Sequence, residues 1–171
     1  MTRLLLPLRH ELDACASLEE AACVHTFRQL PRRVQQVWLL NGLDGLDFRQ
    51  IGERLGLSVQ DVEHLMHQAL RGTNPVRDPA TRCAGQWYVR LQSPQVTACE
   101  RIDFRRWLDA HPDHLRAFRA TELHWRSLIA CTRPLGPEGW YRHGRAAFSL
   151  SGGLLALALS LAATLALGYW A

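Results

Sequence analysis

Residues 30–71 read LPRRVQQVWLLNGLDGLDFRQIGERLGLSVQDVEHLMHQALR, and their spacing predicts three consecutive helices. Pro31 opens the first helix, because proline suits the first turn. Asp47 can cap a short second helix by accepting hydrogen bonds from its first free N–H groups. Gly56 allows a tight turn, and Ser58 can cap the third helix. A short helix, a turn containing glycine and a further helix make a helix-turn-helix.

The same stretch resembles region 4 of sigma-70-family factors of the extracytoplasmic-function type. The positions that carry the resemblance are Leu30, Pro31, Val37, Leu40, Asp44, Gly45, Ile51, Leu55, Gly56, Ser58, Val62, Ala69 and Leu70. In that family the domain reads promoter DNA with its last helix and contacts RNA polymerase. The resemblance therefore implies a sigma region-4-like helix-turn-helix over residues 28–71, with promoter DNA and RNA polymerase as expected partners.

The predicted recognition helix has few cations for a DNA-reading element. Base reading usually needs Arg, Lys, Asn or Gln on the exposed face, with further cations on phosphates. Asp61 and Glu63 would oppose phosphate-rich DNA, and the first cation of this helix is Arg71. The residues that can still contact DNA are Arg49, Arg54, Ser58, Gln60, His64, His67, Gln68 and Arg71. The alternative is a helical domain kept for protein contacts.

Residues 84–130 are predicted to form a second unit of three helices. The first begins near Trp87, Thr97 and Glu100 form a capping box for the second, and the third follows Pro112. This unit resembles the N-terminal cytoplasmic domain of FecR-type regulators, which bind an iron-uptake sigma factor. The positions that carry the resemblance are Trp87, Arg90, Leu91, Trp107, Leu108, Pro112, His114, Ala117, Phe118 and Trp125.

The FecR-type resemblance implies that the second unit docks on a sigma factor region 4, either the chain's own helix-turn-helix or that of a separate sigma factor. Aromatic and Arg side chains dominate the energies of many interfaces. The expected sigma-binding residues are Trp87, Arg90, Arg105, Arg106, Trp107, Arg116 and Trp125. The competing interpretation of the three Trp residues is that they anchor the core of a small domain.

The segments around these two units are expected to be a helical extension and a linker. Residues 72–83 read GTNPVRDPATRC, in which Gly and Pro interrupt the helical pattern, so we predict a domain linker. Residues 1–27 are expected to add a helical segment. They are too few to hold region 2 of a sigma factor, so we expect that the chain does not start transcription alone.

Residues 146–171 contain no charged residue and are long enough as a helix to cross a bilayer. Arg133, Arg142 and Arg145 precede this segment, and the positive-inside rule keeps their side in the cytoplasm. We therefore expect a single-pass protein of the bacterial inner membrane with a cytoplasmic N-terminus, residues 131–145 being a juxtamembrane linker. FecR-type regulators also have one span after this domain, followed by a periplasmic sensor that we do not expect here. The alternative is a buried helix of a soluble domain.

The composition fits a folded chain, with 47 % hydrophobic and 21 % charged residues. All 20 basic residues are Arg, and the net charge of +4 permits contact with nucleic acid or an acidic membrane without requiring either. No catalytic constellation is found, so we expect no enzyme activity, no metal and no cofactor. Cys15, Cys23 and His25 lack paired metal-ligand spacing. The five cysteines are expected to be reduced in the cytoplasm.

Together these patterns predict an all-α fold with a helix-turn-helix domain, a small three-helix domain and one C-terminal transmembrane helix. The expected function is a membrane-anchored transcription regulator of the sigma/anti-sigma type, linked to the control of iron-uptake genes. In one mechanism the second unit holds the chain's own helix-turn-helix; in another it captures a separate sigma factor. The alternative is a degenerate membrane-tethered interaction protein that does not bind DNA.

Overall fold

The computed structural model describes residues 18–143, and this part of the chain is helical without strands. The helices are α1 (18–28), α2 (Arg32–Gly42), α3 (Phe48–Leu55), α4 (Val59–Thr73), α5 (Pro79–Gln92), α6 (Ala98–Ala110) and α7 (Pro112–Thr132). Two short 3-10 segments, Arg133–Glu138 and Trp140–Arg142, follow α7. The all-α prediction is confirmed for these residues.

Short-range signals set the boundaries of the helix-turn-helix formed by α3 and α4. The Asp47 carboxylate accepts a hydrogen bond from the backbone N–H of Gln50 at 2.8 Å, and the Gln50 side chain accepts one from the backbone N–H of Asp47. Ser58 and Asp61 form the same reciprocal box at the start of α4. Gly56 connects the two helices with a φ of +67°, which favours glycine. The predicted caps and turn are confirmed.

The second helical unit begins earlier than the sequence predicts. Helix α5 starts at Pro79 rather than near Trp87, because Asp78 caps it and proline fits its first turn. Residues 74–78 alone connect α4 to α5, so most of the predicted linker 72–83 is helical. The capping box that begins α6 and the start of α7 at Pro112 agree with the sequence expectation.

One hydrophobic core extends through both predicted units. Ile51 and Met66 from the helix-turn-helix belong to the same buried cluster as Val89 from α5 and Leu128 from α7. Within this core, the rings of Trp38 on α2 and Trp125 on α7 pack edge to face, with 4.5 Å between their centroids. The two units therefore share a core across the short connection between α4 and α5.

Cys23 on α1 and Cys131 at the end of α7 form a disulfide. The expectation that all five cysteines are reduced is wrong for this pair, because the fold brings their Cα atoms to 6.4 Å, within reach of a disulfide. Cys83 and Cys99 are free. Among residues 18–143 no cluster of three or more His, Cys, Asp or Glu residues could hold a metal ion.

The residues after α7 fold back onto α2, the helix that precedes the helix-turn-helix. Residues 133–143, here called the C-terminal strap, contain both 3-10 segments and contact α2 and α7. They fall within the stretch 131–145 that was predicted as a juxtamembrane linker. The predicted span, residues 146–171, lies outside the described residues, as do residues 1–17. None of the helices within 18–143 has both the length and the apolar character needed to cross a membrane.

Candidate functional site

Helix α4 turns a polar face away from the core. Val62 and Met66 are completely buried, whereas Gln60, His64 and Arg71 are exposed. The spacing of four and seven residues places these three side chains on one face of the helix. Three of the predicted DNA-binding residues are therefore together on an exposed face, of the kind that enters a DNA groove.

Three other predicted DNA-binding residues make contacts within the protein. Ser58 is the N-cap of α4. Arg49 pairs with Glu53 one turn along α3, with 2.9 Å between Nε and the carboxylate. The Nη2 of Arg54 donates a hydrogen bond to the backbone carbonyl of Arg142 in the C-terminal strap, at 2.9 Å. Arg54 thus contacts a residue that is 88 positions away in the sequence.

Helix α5 covers one flank of α4. His67 is half-buried, and a Cβ added at Gly85 of α5 would lie 3.6 Å from its ring. Burial lowers the pKa of His67, so the neutral imidazole is favoured. Gln68 is half-exposed at the edge of the free face. The predicted DNA-binding set is thus divided between an exposed face and a flank that α5 occupies.

Arg90 connects α4, α5 and α6 through ion pairs. Its Nη1 donates to Glu63 at 2.8 Å, and its Nε and Nη2 donate to the two oxygens of Glu100 at 2.8 and 3.1 Å. Hydrogen bonds, first from Arg90 and then from the backbone and side chain of Thr97, lower the pKa of Glu100 to about 2. Glu63, which the sequence suggested would oppose DNA, is instead neutralised within the protein. Arg90, predicted to bind a sigma factor, contacts the chain's own helix-turn-helix.

The C-terminal strap is anchored on α2 and the loop after it. Asp44 accepts hydrogen bonds from Tyr141 Oη at 3.0 Å and from Arg142 Nε and Nη2 at 3.0 and 2.8 Å. The bond from Arg142 lowers the pKa of Asp44. The buried amide of Gln36 donates to the carbonyls of Tyr141 and His143 at 2.9 and 2.7 Å. These contacts were not predicted from the sequence.

The three predicted sigma-binding Trp residues have different environments. Trp125 is buried, with 5 % of its surface exposed, and it acts as a core anchor. Trp107 is partly exposed and stacks on His114, with 4.6 Å between ring centroids. Trp87 is also partly exposed and packs against Phe104 at 5.6 Å. The aromatic residues of α5, α6 and α7 therefore range from buried, as in Trp125, to partly exposed, as in Trp87 and Trp107.

The predicted sigma-binding arginines of α6 and α7 lie on the outer side of the second unit. Arg105, Arg106 and Arg116 are all exposed. Arg106 and Arg116 pair with Asp103 and Asp113 on the same helix turns. Exposed pairs of this kind contribute little to stability, so these guanidinium groups remain available to a partner. Helix α6 has no fully buried residue, which leaves its outer face open.

Comparison with known families gives a match for each half of the described structure. Residues 24–71 match the family "Sigma-70, region 4", and residues 82–123 match "Domain of unknown function (DUF4880)". No curated protein and no solved structure matches the chain. The FecR-type assignment of the second unit stays a prediction. The chain thus contains a helix-turn-helix similar to sigma-70 region 4, which indicates a role in sigma/anti-sigma regulation, followed by a helical domain similar to DUF4880.

Proposed function

We propose that this chain is a membrane-anchored transcription regulator of the sigma/anti-sigma type, in which the second helical unit holds the chain's own region-4-like helix-turn-helix. The region 4 match supports the regulatory class. The observation that favours self-capture is the continuous contact between the halves. It consists of the Trp38–Trp125 packing, the pairing of Arg90 with Glu63 and the binding of the strap to Asp44.

This arrangement limits the approach of α4 to DNA. A major groove about 12 Å wide receives one helix, whereas two packed helices have axes about 8–10 Å apart and are together about 20 Å across. Helix α5 lies along the Glu63 and His67 flank of α4. Entry of the exposed face into a groove is therefore restricted while α5 stays in place, and releasing the second unit would remove this restriction.

The proposed anchor is the predicted span at residues 146–171, in the bacterial inner membrane with the N-terminus in the cytoplasm. It follows shortly after the strap, which is bound to Asp44 and Gln36 of the helix-turn-helix unit. Few residues would thus separate the membrane from the contacts between the strap and this unit, so a signal at the membrane would be transmitted over a short stretch of chain. The proposed link to iron-uptake genes rests on the resemblance of the second unit to FecR-type regulators. No catalytic step forms part of this function.

A bacterial two-hybrid assay with the full chain as bait, against region 4 domains of the host's sigma factors, tests self-capture. The wild-type chain is expected to give a weak signal, because its own helix-turn-helix occupies the docking surface. The double variant Asp44→Asn and Glu63→Gln weakens the internal contact from the helix-turn-helix side and leaves the second unit intact. It is expected to give a stronger signal. Glu53→Gln, at an exposed pair within α3, is the matched control.

Two results would contradict the proposal. A strong signal that is equal for the wild-type chain and the double variant would favour capture of a separate sigma factor. No signal with any region 4 domain, for either chain, would exclude the anti-sigma role and favour an interaction protein of another kind.

A further inference from the structure

A cavity of about 230 Å³ opens at the junction of the two units, between α4, the 74–78 connection and α5. Three arginines from different elements line it: Arg71 from the end of α4, Arg77 from the connection and Arg82 from the first turns of α5. Leu70 and Gly85 form part of its apolar lining. None of the predicted sigma-binding residues lines this cavity.

The three guanidinium groups have no carboxylate partner within residues 18–143. The nearby Asp78 is used as the N-cap of α5, where its carboxylate accepts hydrogen bonds from the backbone N–H and the hydroxyl of Thr81 at 2.8 and 2.6 Å. Other arginines of the described chain, such as Arg90 and Arg142, are paired. Three like charges around one cavity repel each other, and a bound anion would offset that repulsion.

The half-buried His67 also lines this cavity, and the positive charge nearby affects its pKa. Its pKa is lowered first by burial and further by the positive charge of Arg71 and by His64, and the hydrogen bond to the backbone of Arg82 opposes this shift. A neutral imidazole adds a polar group without a negative charge. The described lining therefore contains cations and neutral groups and no carboxylate.

We propose that this cavity binds a small phosphorylated molecule, with Arg71, Arg77 and Arg82 contacting the phosphate groups. Arginine binds phosphate with paired, charge-assisted hydrogen bonds, and three arginines suit a ligand with more than one negative charge. A concave site between helices is typical of small ligands, and this volume is below that of most drug-sized sites, which favours a compact molecule. The ligand would bridge α4 and α5 and so strengthen the contact between the two halves.

Isothermal titration calorimetry of the full chain in mild detergent, with inorganic pyrophosphate as the probe, tests this site. We expect one site per chain, and we expect the double variant Arg77→Gln and Arg82→Gln to weaken binding by at least about tenfold, since charge-assisted bonds are lost. Neither residue belongs to the predicted DNA-binding or sigma-binding sets. Arg101→Gln removes the same kind of charge from the exposed surface of α6 and is the control. Circular dichroism melting shows whether each variant is folded.

The proposal is overturned if the wild-type chain does not bind pyrophosphate. It is also overturned if the loss of binding free energy per arginine removed is the same for Arg101→Gln as for the double variant Arg77→Gln and Arg82→Gln. A second titration uses a 20-base-pair duplex. If the duplex displaces pyrophosphate, and the double variant loses duplex affinity to the same degree, the arginines form a contact with the DNA backbone and the small-molecule site is rejected. The site requires the packing of α5 on α4 but not the exclusion of a separate sigma factor, so the two-hybrid result and this result can differ.

Discussion

Arg90 provides the charged contact between the second unit and α4. Its side chain is 26 % exposed and that of Glu63 is 16 % exposed, so the pair is only partly screened by water. Loss of one partner of such a pair leaves the other charge poorly solvated. We expect Arg90→Gln to lower the free energy of unfolding by about 2 kcal/mol. Urea unfolding followed by circular dichroism measures this.

The matched comparison for Arg90 is Arg106, whose side chain is 77 % exposed in its pair with Asp103. Arg106→Gln is expected to change the free energy of unfolding by less than about 0.5 kcal/mol, because exposed pairs are weak. Equal effects of the two substitutions would mean that the Arg90 ion pairs do not stabilise the contact between the units.

Two half-buried histidines are expected to make the stability of the protein depend on pH. Burial lowers the pKa of His67 and of His124, and His124 Nε2 lies 2.9 Å from the Thr73 hydroxyl. Below the unfolded-state value of about 6.5, the unfolded chain binds more protons than the folded one, so stability decreases as the pH falls. We expect the melting temperature to drop between pH 7.5 and pH 5.5.

Substitution of one histidine checks this origin of the pH dependence. His124→Gln stays neutral and is expected to reduce the change in melting temperature over this range. The carboxylates with lowered pKa values, such as Glu100 at about 2, lose their stabilising effect only at lower pH. An unchanged pH dependence in His124→Gln would contradict the assignment.

Helix boundaries were largely predictable because they depend on neighbouring residues. Asp47, Ser58 and Thr97 cap the helices that the sequence indicated, since each hydrogen bond spans three residues. Pro79 is the exception, because proline interrupts the interior of a helix but fits its first turn. The Asp78 cap decides between these two roles, because it marks Pro79 as the first residue of a helix.

The contacts that join the elements could not be predicted from local patterns. Asp44 and Arg142 are 98 residues apart in sequence, and the partners of Arg90 lie on two other helices. The periodicity of α4 identified its buried side but not which of its polar residues α5 would cover. The sequence therefore gives the candidate DNA-binding residues as one set. The fold shows that Gln60 and His64 are exposed, whereas His67 lies beside α5.

The disulfide connects α1 to the end of α7 across a sequence separation of 108 residues. Closing a loop of this length is expected to stabilise the folded state by about 5 kcal/mol, mainly by restricting the unfolded chain. We expect Cys131→Ser, or reduction of the oxidised protein, to lower the melting temperature. Cys99→Ser, at an exposed free thiol, is the control. Peptide mapping without reductant should recover the Cys23–Cys131 pair, and its absence would contradict the assignment.

For the molecule as a whole, the predicted membrane topology has a direct test. Alkaline phosphatase fused after Ala171 is expected to be active, because residues 146–171 would carry it out of the cytoplasm. The same enzyme fused after residue 143, before the predicted span, is expected to be inactive. Activity that is absent at both positions would contradict the membrane-anchored arrangement.

Self-capture requires that the helix-turn-helix and the second unit behave as one cooperative body. Trp125 belongs to their shared core and packs against Trp38 of α2, and Trp125→Ala is expected to cost about 3–5 kcal/mol. Leu123, on the same helix, is 65 % exposed, so Leu123→Ala is the matched control with little expected cost. Because the core is shared, the loss of stability caused by Trp125→Ala should extend to helices other than α7.

Hydrogen–deuterium exchange of the full chain, compared between Trp125→Ala and Leu123→Ala, measures this coupling. Self-capture predicts that Trp125→Ala lowers amide protection in α2 and α4 together with α5 and α7, while Leu123→Ala leaves all four helices as in the wild type. If Trp125→Ala instead lowered protection in α5 and α7 and left α2 and α4 unchanged, the two halves would be independent, and the proposal that the second unit holds the helix-turn-helix would be contradicted.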